Sequence, residues 1–553
     1  MTRRLDPLAD VSFDVLVVGG GIVGACVARD AARRGLTVAL LERSDFGAGI
    51  SWNSLKIVHG GLRSLQKLDV RQARAFVRER RAWLRVAPHL VEPISFVVPT
   101  RGLGGESALL MRTALALNDV VSRDRNEGVP PSRRIPNGRT LSQAEMRRLV
   151  PAQLEEYSGG ALFHDAQLYS AERLVYATLD DATHAGATIV NYAEAVAPLH
   201  AKNVLVGVVA EDRITGERCD VRGSMIINAA GAGAASVARL LTGHADAAPP
   251  MTGIALNLML DGDRLTTGFT LRARMDGGSR RLFVTPWRGR TLVGTAHYDC
   301  DRVPHSDAEL EPYVERFVRE LSHAWPERAI TRESVLLVHA GMQPSPHGFE
   351  SAFAHGPPEH QIVDHAAHGV PQLLTAIGPK LTMARAIAEQ LIDAATVRLG
   401  GAVAKCDTAS ARLGSAPDAD VPVAISDAIA KRRIAAPEDV VSHLVHCYGN
   451  GISFDTIAEA VRNEPALGER VHPESPVIAA QLWHAVHNER AMNADDIIMR
   501  RTELGATARV SPEARLAAER AIRSAAKAGA REGAAAQEPR ADSRPDARGS
   551  RSL

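Results

Sequence analysis

The run Phe13-Asp14-Val15-Leu16-Val17-Val18-Gly19-Gly20-Gly21-Ile22-Val23-Gly24 constrains this chain more than any other stretch. A short apolar segment enters three glycines, and an amphipathic segment follows at once. That order predicts a strand, a tight turn and a helix. Gly19 permits the turn, Gly21 lets a pyrophosphate approach the backbone, and Gly24 lets the helix pack closely on the strand. Amides at the helix start, at the positive end of the helix dipole, suit phosphate oxygens. The helix is predicted from Ile22 to Arg34, with Gly35 as its stop. A second strand, Thr37 to Leu41, ends in Glu42. That is about twenty residues past the glycines, where a carboxylate takes ribose hydroxyls. A ligand-free Gly-rich turn is the alternative, and strand, spacing, helix and acid together weigh against it.

At 553 residues the chain exceeds one ordinary core, so two or three domains are expected. Its 65 basic residues balance 64 acidic ones, so no global field points to nucleic acid. Cys26, Cys219, Cys300, Cys406 and Cys447 are scattered without CxxC spacing. That pattern gives no metal framework and no case for disulfides, and it fits a reducing compartment. The start lacks a signal-peptide pattern, and no run of about 18 apolar residues exists to span a membrane. A cytoplasmic protein is expected, with peripheral contact on the inner face of the membrane left open.

After Glu42 comes Gly47-Ala-Gly-Ile-Ser51-Trp-Asn-Ser54-Leu-Lys56-Ile-Val-His59-Gly60-Gly61-Leu-Arg63-Ser64-Leu-Gln66. This reads as a loop along an extended cofactor. Ser51 and Ser54 can bond phosphate or ribitol oxygens, and Gly60-Gly61 lets backbone lie against a ring. Here the chain resembles the FAD-dependent glycerol-3-phosphate dehydrogenase family, which carries a Ser-rich stretch and then Lys-Leu-Ile-His-Gly-Gly-Leu-Arg-Tyr-Leu. Pro286-Trp287 through Gly294-Thr295, Gly378-Pro-Lys380-Leu-Thr382-Met-Ala-Arg385, and Asn488 through Thr502 are similar to later family segments in the right order.

The resemblance implies an α/β architecture: a Rossmann-like FAD-binding domain of the glutathione-reductase type, an antiparallel-sheet substrate domain and a C-terminal helical cap. The expected division is 1–95, 158–235 and 360–400 for FAD binding, 96–157 and 236–359 for substrate, 404–510 for the cap, and 511–553 as a mostly disordered tail. FAD contacts are expected at Gly19, Gly21, Gly24, Glu42, Arg43, Ser51, Ser54 and Lys56. Further contacts are expected at Gly60, Gly61, Gly231, Gly378, Lys380, Leu381 and Thr382. The basic stretch 66–90 is expected to be an amphipathic helix, solvated or touching anionic lipid.

The implied reaction is oxidation of sn-glycerol 3-phosphate, or a similar small hydroxylated anion, by hydride transfer to flavin N5, with electrons passed to quinone. Oxidation of another small alcohol or amine, or flavin binding without catalysis, are the alternatives. Arg63 and Lys380 match family positions beside substrate and flavin. His297 and His59 are the candidate bases, and His339 is a third. The sequence departs from the family at Ser64, Gln343 and Asp364, where Tyr and two Arg are expected. A homodimer is left open, and no metal is expected.

Overall fold

The computed structural model organises the chain around a parallel sheet. Leu373–Ile377, Arg218–Asn228, Ser12–Val18, Val38–Leu41 and Thr188–Val190 lie side by side in that order, all parallel. All four residues of Val38–Leu41 are buried, as a strand covered on both faces requires. Gln361–Asp364 pairs antiparallel at one edge, and the hairpin Ala193–Ala201/Val204–Asp212 joins through Arg218–Asn228. The structure describes residues 5–66, 68–102, 107–150, 156–262, 265–275, 278–300, 304, 306–344, 360–378, 380–507 and 509–537.

Small side chains set the packing of the first helix. Ile22–Arg33 buries Ala25, Ala28, Ala31 and Ala32 against the sheet and against helices Ala171–His184 and Ala384–Leu399. The opposite face of the sheet is covered by the hairpin, through Val208 and Leu205 on Leu16 and Val18.

A second sheet runs Val335–Gln343, Gly253–Leu260, Arg290–Asp299, Gly278–Trp287, Gly268–Met275, Val91–Thr100, Gly159–Leu168 and Ile57–Val58. Its pairs are antiparallel except Gly268–Met275 with Val91–Thr100. The expected antiparallel sheet is thus present, but Val91–Thr100 and Gly159–Leu168 extend it, although the sequence division sets 1–95 and 158–235 with the cofactor part. Local patterning marks both as strands and says nothing of a partner so far along the chain. The stretch 251–338, whose alternating pattern predicts mainly antiparallel strands, also contains helix Asp307–Ala324. That helix seats Phe317 and Leu321 in the core of this sheet.

Helices Val421–Ala430, Glu438–Tyr448, Ile452–Asn463 and Ala479–His487 form the C-terminal part. A mostly disordered tail was expected from 511. Instead Pro512–Gln537 is a helix whose Ala514 and Ala518 are buried with Leu482 and Ile498. A small-residue stripe, legible only once its partner surface exists, holds it there. The described helices include none long and apolar enough to cross a membrane.

Buried charge ties these parts together. Asp45, fully buried, accepts Arg500 Nε at 2.6 Å and Arg501 Nη1 and Nη2 at 2.8 and 2.7 Å. Arg288, at the tip of the hairpin Gly278–Trp287/Arg290–Asp299, meets Glu503 at 2.6 Å and covers the Tyr169 ring at 4.3 Å. Glu503 in turn faces His443 at 3.2 Å and accepts the Cys447 thiol at 3.3 Å. Three of the six arginines of helix Val70–Val86 are absorbed in the same way. Arg74 and Arg81 pair with Asp124, and Arg80 with Asp165. The amphipathic helix expected in 66–90 lays its apolar stripe of Phe76, Val77, Trp83 and Leu84 on the core and leaves Arg71 and Arg78 exposed.

Removing one partner of a buried pair strands the other. Asp45→Asn is expected to lose about 3–5 kcal/mol in urea unfolding. The neighbouring Arg501 and Arg500 cations hold the Asp45 carboxyl below its ordinary value despite burial. Its stabilisation is therefore present above about pH 4 and is lost as pH falls further. Acid titration of unfolding should show a shallower pH dependence in Asp45→Asn than in the parent over that window.

Candidate active site

The glycine turn has the geometry that its residue types predict. Gly19 has φ +111°, and a Cβ there would lie 2.6 Å from Ala229 O. A Cβ on Gly24 would stand 1.9 Å from Gly19 O, so helix and strand touch through hydrogen alone. Ala229 N–H donates to Val18 O at 2.8 Å, so the second glycine turn, Gly231–Gly233, lies beside the first. Gly21 caps the first helix without a side chain, and Ser51 Oγ accepts Ile22 N–H at 3.0 Å. Glu42 accepts Gly20 N–H at 2.7 Å and Ser44 N–H at 2.8 Å. Burial pushes its carboxyl above the ordinary value, against those two bonds. Each carboxylate oxygen keeps a lone pair beyond the bond it accepts. Arg43 beside it is exposed.

From this end the loop 47–55 runs along the edge strand Val335–Gln343. Asn53 Nδ2 donates to Ala340 O, and Ile50 fills the space a Gly341 Cβ would need. His339 is fully buried beneath the loop, with Nδ1 3.2 Å from the Ser54 carbonyl. A carbonyl can only accept, so Nδ1 carries the proton and Nε2 keeps its lone pair. Burial, with Lys56 nearby, lowers the His339 pKa to about 3. His339 Nε2 and Asn53 Oδ1 have no protein partner. Such orphaned polar atoms, with a helix start met by the Ser51 hydroxyl and the glycine cradle, fit a bound dinucleotide with polar groups along its length.

The loop then reaches the other end of the site. Lys56 does not remain open. Its ammonium is fully buried, donates to Trp52 O, lies 3.2 Å from Glu172 Oε2 and sits 5.0 Å from the Trp287 ring centroid. His59 donates its backbone N–H to Thr382 Oγ1 at 3.0 Å, and its ring faces Phe283 at 6.5 Å between centroids. The side chain is 37 % exposed. Packing within the protein also requires glycine at Gly60 and Gly61. A Cβ on Gly60 would meet Arg80 Nη1 at 2.0 Å, and one on Gly61 would meet Ala73 Cα at 2.9 Å. Asp165 Oδ1 accepts Gly60 N–H at 2.6 Å and Arg80 Nη1 at 2.5 Å.

Lys380 is exposed, with its ammonium 5.2 Å from the Phe76 ring centroid. The short turn Leu381–Met383 follows, and Trp83 Nε1 donates to Thr382 O at 3.1 Å. Gly378 has φ +59° and abuts Pro344, which brings Gln343 and Pro344 to the same corner. His297 pairs across the ladder with Ala255, which pairs with Gly341. Residues directly opposed in a ladder share a face, so His297 is on the loop side, two strands in from the edge. The Arg63 side chain lies outside the described residues. Ser64 Oγ donates to Gln72 Oε1 at 2.7 Å. Asp364 caps the turn His365–His368 and pairs with Arg398 at the far edge of the first sheet.

The structure thus gathers His59, Thr382, Lys380 and the Gly378 turn at one end, and Gly19 to Gly24, Glu42, Ser51 and Gly231 at the other. Asp165, in a stretch 162–167 that resembles a short Asp-Ala segment of the family, and Asn53 were given no role from sequence. Each acquires its place only through contacts made far along the chain.

Two family models match consecutive stretches: "FAD dependent oxidoreductase" over residues 14–394, and "C-terminal domain of alpha-glycerophosphate oxidase" over residues 393–529. The chain is 30% identical over 524 residues to a glycerol-3-phosphate dehydrogenase of Synechocystis, covering 91% of this chain and 90% of that one. It is 29% identical over 511 residues to the human mitochondrial glycerol-3-phosphate dehydrogenase, covering 89% of this chain and 67% of that one. The fold is similar to a Bacillus halodurans glycerol-3-phosphate dehydrogenase solved with FAD, with TM-score 0.69 and 23% identity over 90% of this chain and 88% of that one.

Because a Gly24 side chain overlaps Gly19 O, Gly24→Ala is expected to push the helix off the strand. The purified variant should carry well under half the parent's flavin absorbance per protein, with far-UV circular dichroism retained.

Proposed function

The chain belongs to the FAD-dependent oxidoreductase family, and from that premise we propose that it oxidises sn-glycerol 3-phosphate to dihydroxyacetone phosphate. The carrying observation is a likeness to glycerol-3-phosphate dehydrogenases that runs the length of the chain, with the alpha-glycerophosphate oxidase C-terminal model beginning where the FAD model ends. Bound FAD supplies the acceptor for the hydride. The chain's own residues do the rest. Glu42 would hold the ribose, Ser51 and the first-turn amides the phosphates, and Lys380 to Thr382 the far end.

His59 is the residue we assign as base for the substrate hydroxyl proton. Its support is a partly open ring at the corner shared by the loop, the Lys380–Thr382 turn and Phe283 of the second sheet. His339 suits that role poorly, since it is fully buried beneath the loop, where burial opposes uptake of a second proton. Lys380 is the cation best exposed to meet a phosphate.

A second reading has its own observation. Gln343 stands where the resemblance expects Arg, and a lost charged hydrogen bond removes about 1.5–3 kcal/mol of anion binding. That favours a smaller or less charged hydroxylated substrate at the same site. For the final acceptor we propose a quinone reached at a membrane surface. Its support is the stretch 68–121, which exposes Leu68 (80%), Leu109 (75%) and Val120 (69%) and also carries exposed Arg71, Arg78 and Arg112.

Anaerobic mixing with sn-glycerol 3-phosphate should bleach the flavin absorbance, and His59→Asn should slow that bleaching by about 10²–10⁴-fold. No bleaching by glycerol 3-phosphate, but bleaching by a neutral polyol, would select the second reading.

A further inference from the structure

We propose that Asp165 is a positioning residue that orients the His59 imidazole; this rests on His59 being the base. The geometry divides the carboxylate into two halves with different tasks. Oδ1 is locked, accepting Gly60 N–H at 2.6 Å and Arg80 Nη1 at 2.5 Å. Oδ2 faces His59 Nδ1 at 3.8 Å. A counter-ion for Arg80 needs only the first oxygen. The second faces Nδ1, and a bond there fixes the tautomer with the proton on Nδ1.

The surroundings leave little freedom except in the imidazole. Arg80 is buried and also donates to His164 O at 2.9 Å, so the carboxylate cannot swing. The His59 backbone is held on one side by Thr382 Oγ1, and its neighbour Gly60 is held on the other by Asp165 itself. A ring rotation that brings Nδ1 to about 2.8 Å from Oδ2 forms an ordinary charge-assisted bond. Hydrogen bonds of this kind are often long before substrate arrives and tighten in its presence.

With Nδ1–H given to Asp165, Nε2 carries the lone pair. The substrate hydroxyl proton passes to Nε2, and bound FAD would take the hydride from the carbinol carbon. The imidazolium so formed is stabilised by the Asp165 carboxylate.

The test uses the holoenzyme and anaerobic stopped-flow reduction by sn-glycerol 3-phosphate. Asp165→Asn should lower the limiting reduction rate by at least about tenfold while substrate affinity moves by less than about threefold. In a His59→Asn background, adding Asp165→Asn should change the rate no further. Asp165→Asn leaves Arg80 without its counter-charge, so the charge-balanced pair Arg80→Gln/Asp165→Asn serves as the second variant and should show the same loss. An equal loss from Asp165→Asn in both backgrounds, or a loss carried by affinity alone, overturns the positioning role and leaves the base assignment standing. A parent-like rate in His59→Asn overturns the base assignment and the proposal with it.

Discussion

Charge buried at the seams holds this molecule in one arrangement. The segment from Glu42 to Gln66 threads between the two sheets and the C-terminal helices, and each third of it is pinned by a different part of the chain. Asp45 is taken by Arg500 and Arg501, Lys56 by Glu172, and Gly60 by the Asp165 carboxylate that also holds Arg80. Desolvating so many ions gives back much of the Coulomb energy, so such pairs add little net stability. What they add here is selection. A register in which one of these charges lacked its partner would be several kcal/mol worse.

That selection matters because the site is not on a single element. The nucleotide end is built by the first sheet and its glycine turn, a local design in which strand, turn and helix are consecutive. The end we propose as the reacting one is assembled from the His59 loop, the Leu381–Met383 turn and Phe283 in the interior of the second sheet. Small errors in how the sheets meet would leave the first end intact and scatter the second.

The difference also explains what could be read from the sequence. The turn at Gly19 to Gly24, the acid at Glu42, and the helices Ile22–Arg33 and Ala171–His184 follow from periodicity and spacing, because neighbours in the chain decide them. The pairing of Val91–Thr100 with Gly159–Leu168, and their place in the second sheet, do not, because the partner strand supplies the information. Charged residues were the hardest to place. Lys56 reads as a cofactor cation, yet its ammonium is enclosed by Trp52, Glu172 and Trp287. Arg80 reads as one more charge on a basic helix, yet it is buried on Asp165. In both cases the deciding fact is a carboxylate over eighty residues away.

The tie between Asp45 and Arg501 also sets an order of events during synthesis. Its partners are 456 residues apart, so at about 5–20 residues per second the ribosome leaves Asp45 waiting about 20–90 seconds for its counter-charge. Over that interval the N-terminal strands and first helix can form, but the segment after Glu42 has no complete seat. The nascent chain must stay soluble with this part unfinished, and the nucleotide fold that appears first in sequence is among the last parts to be sealed.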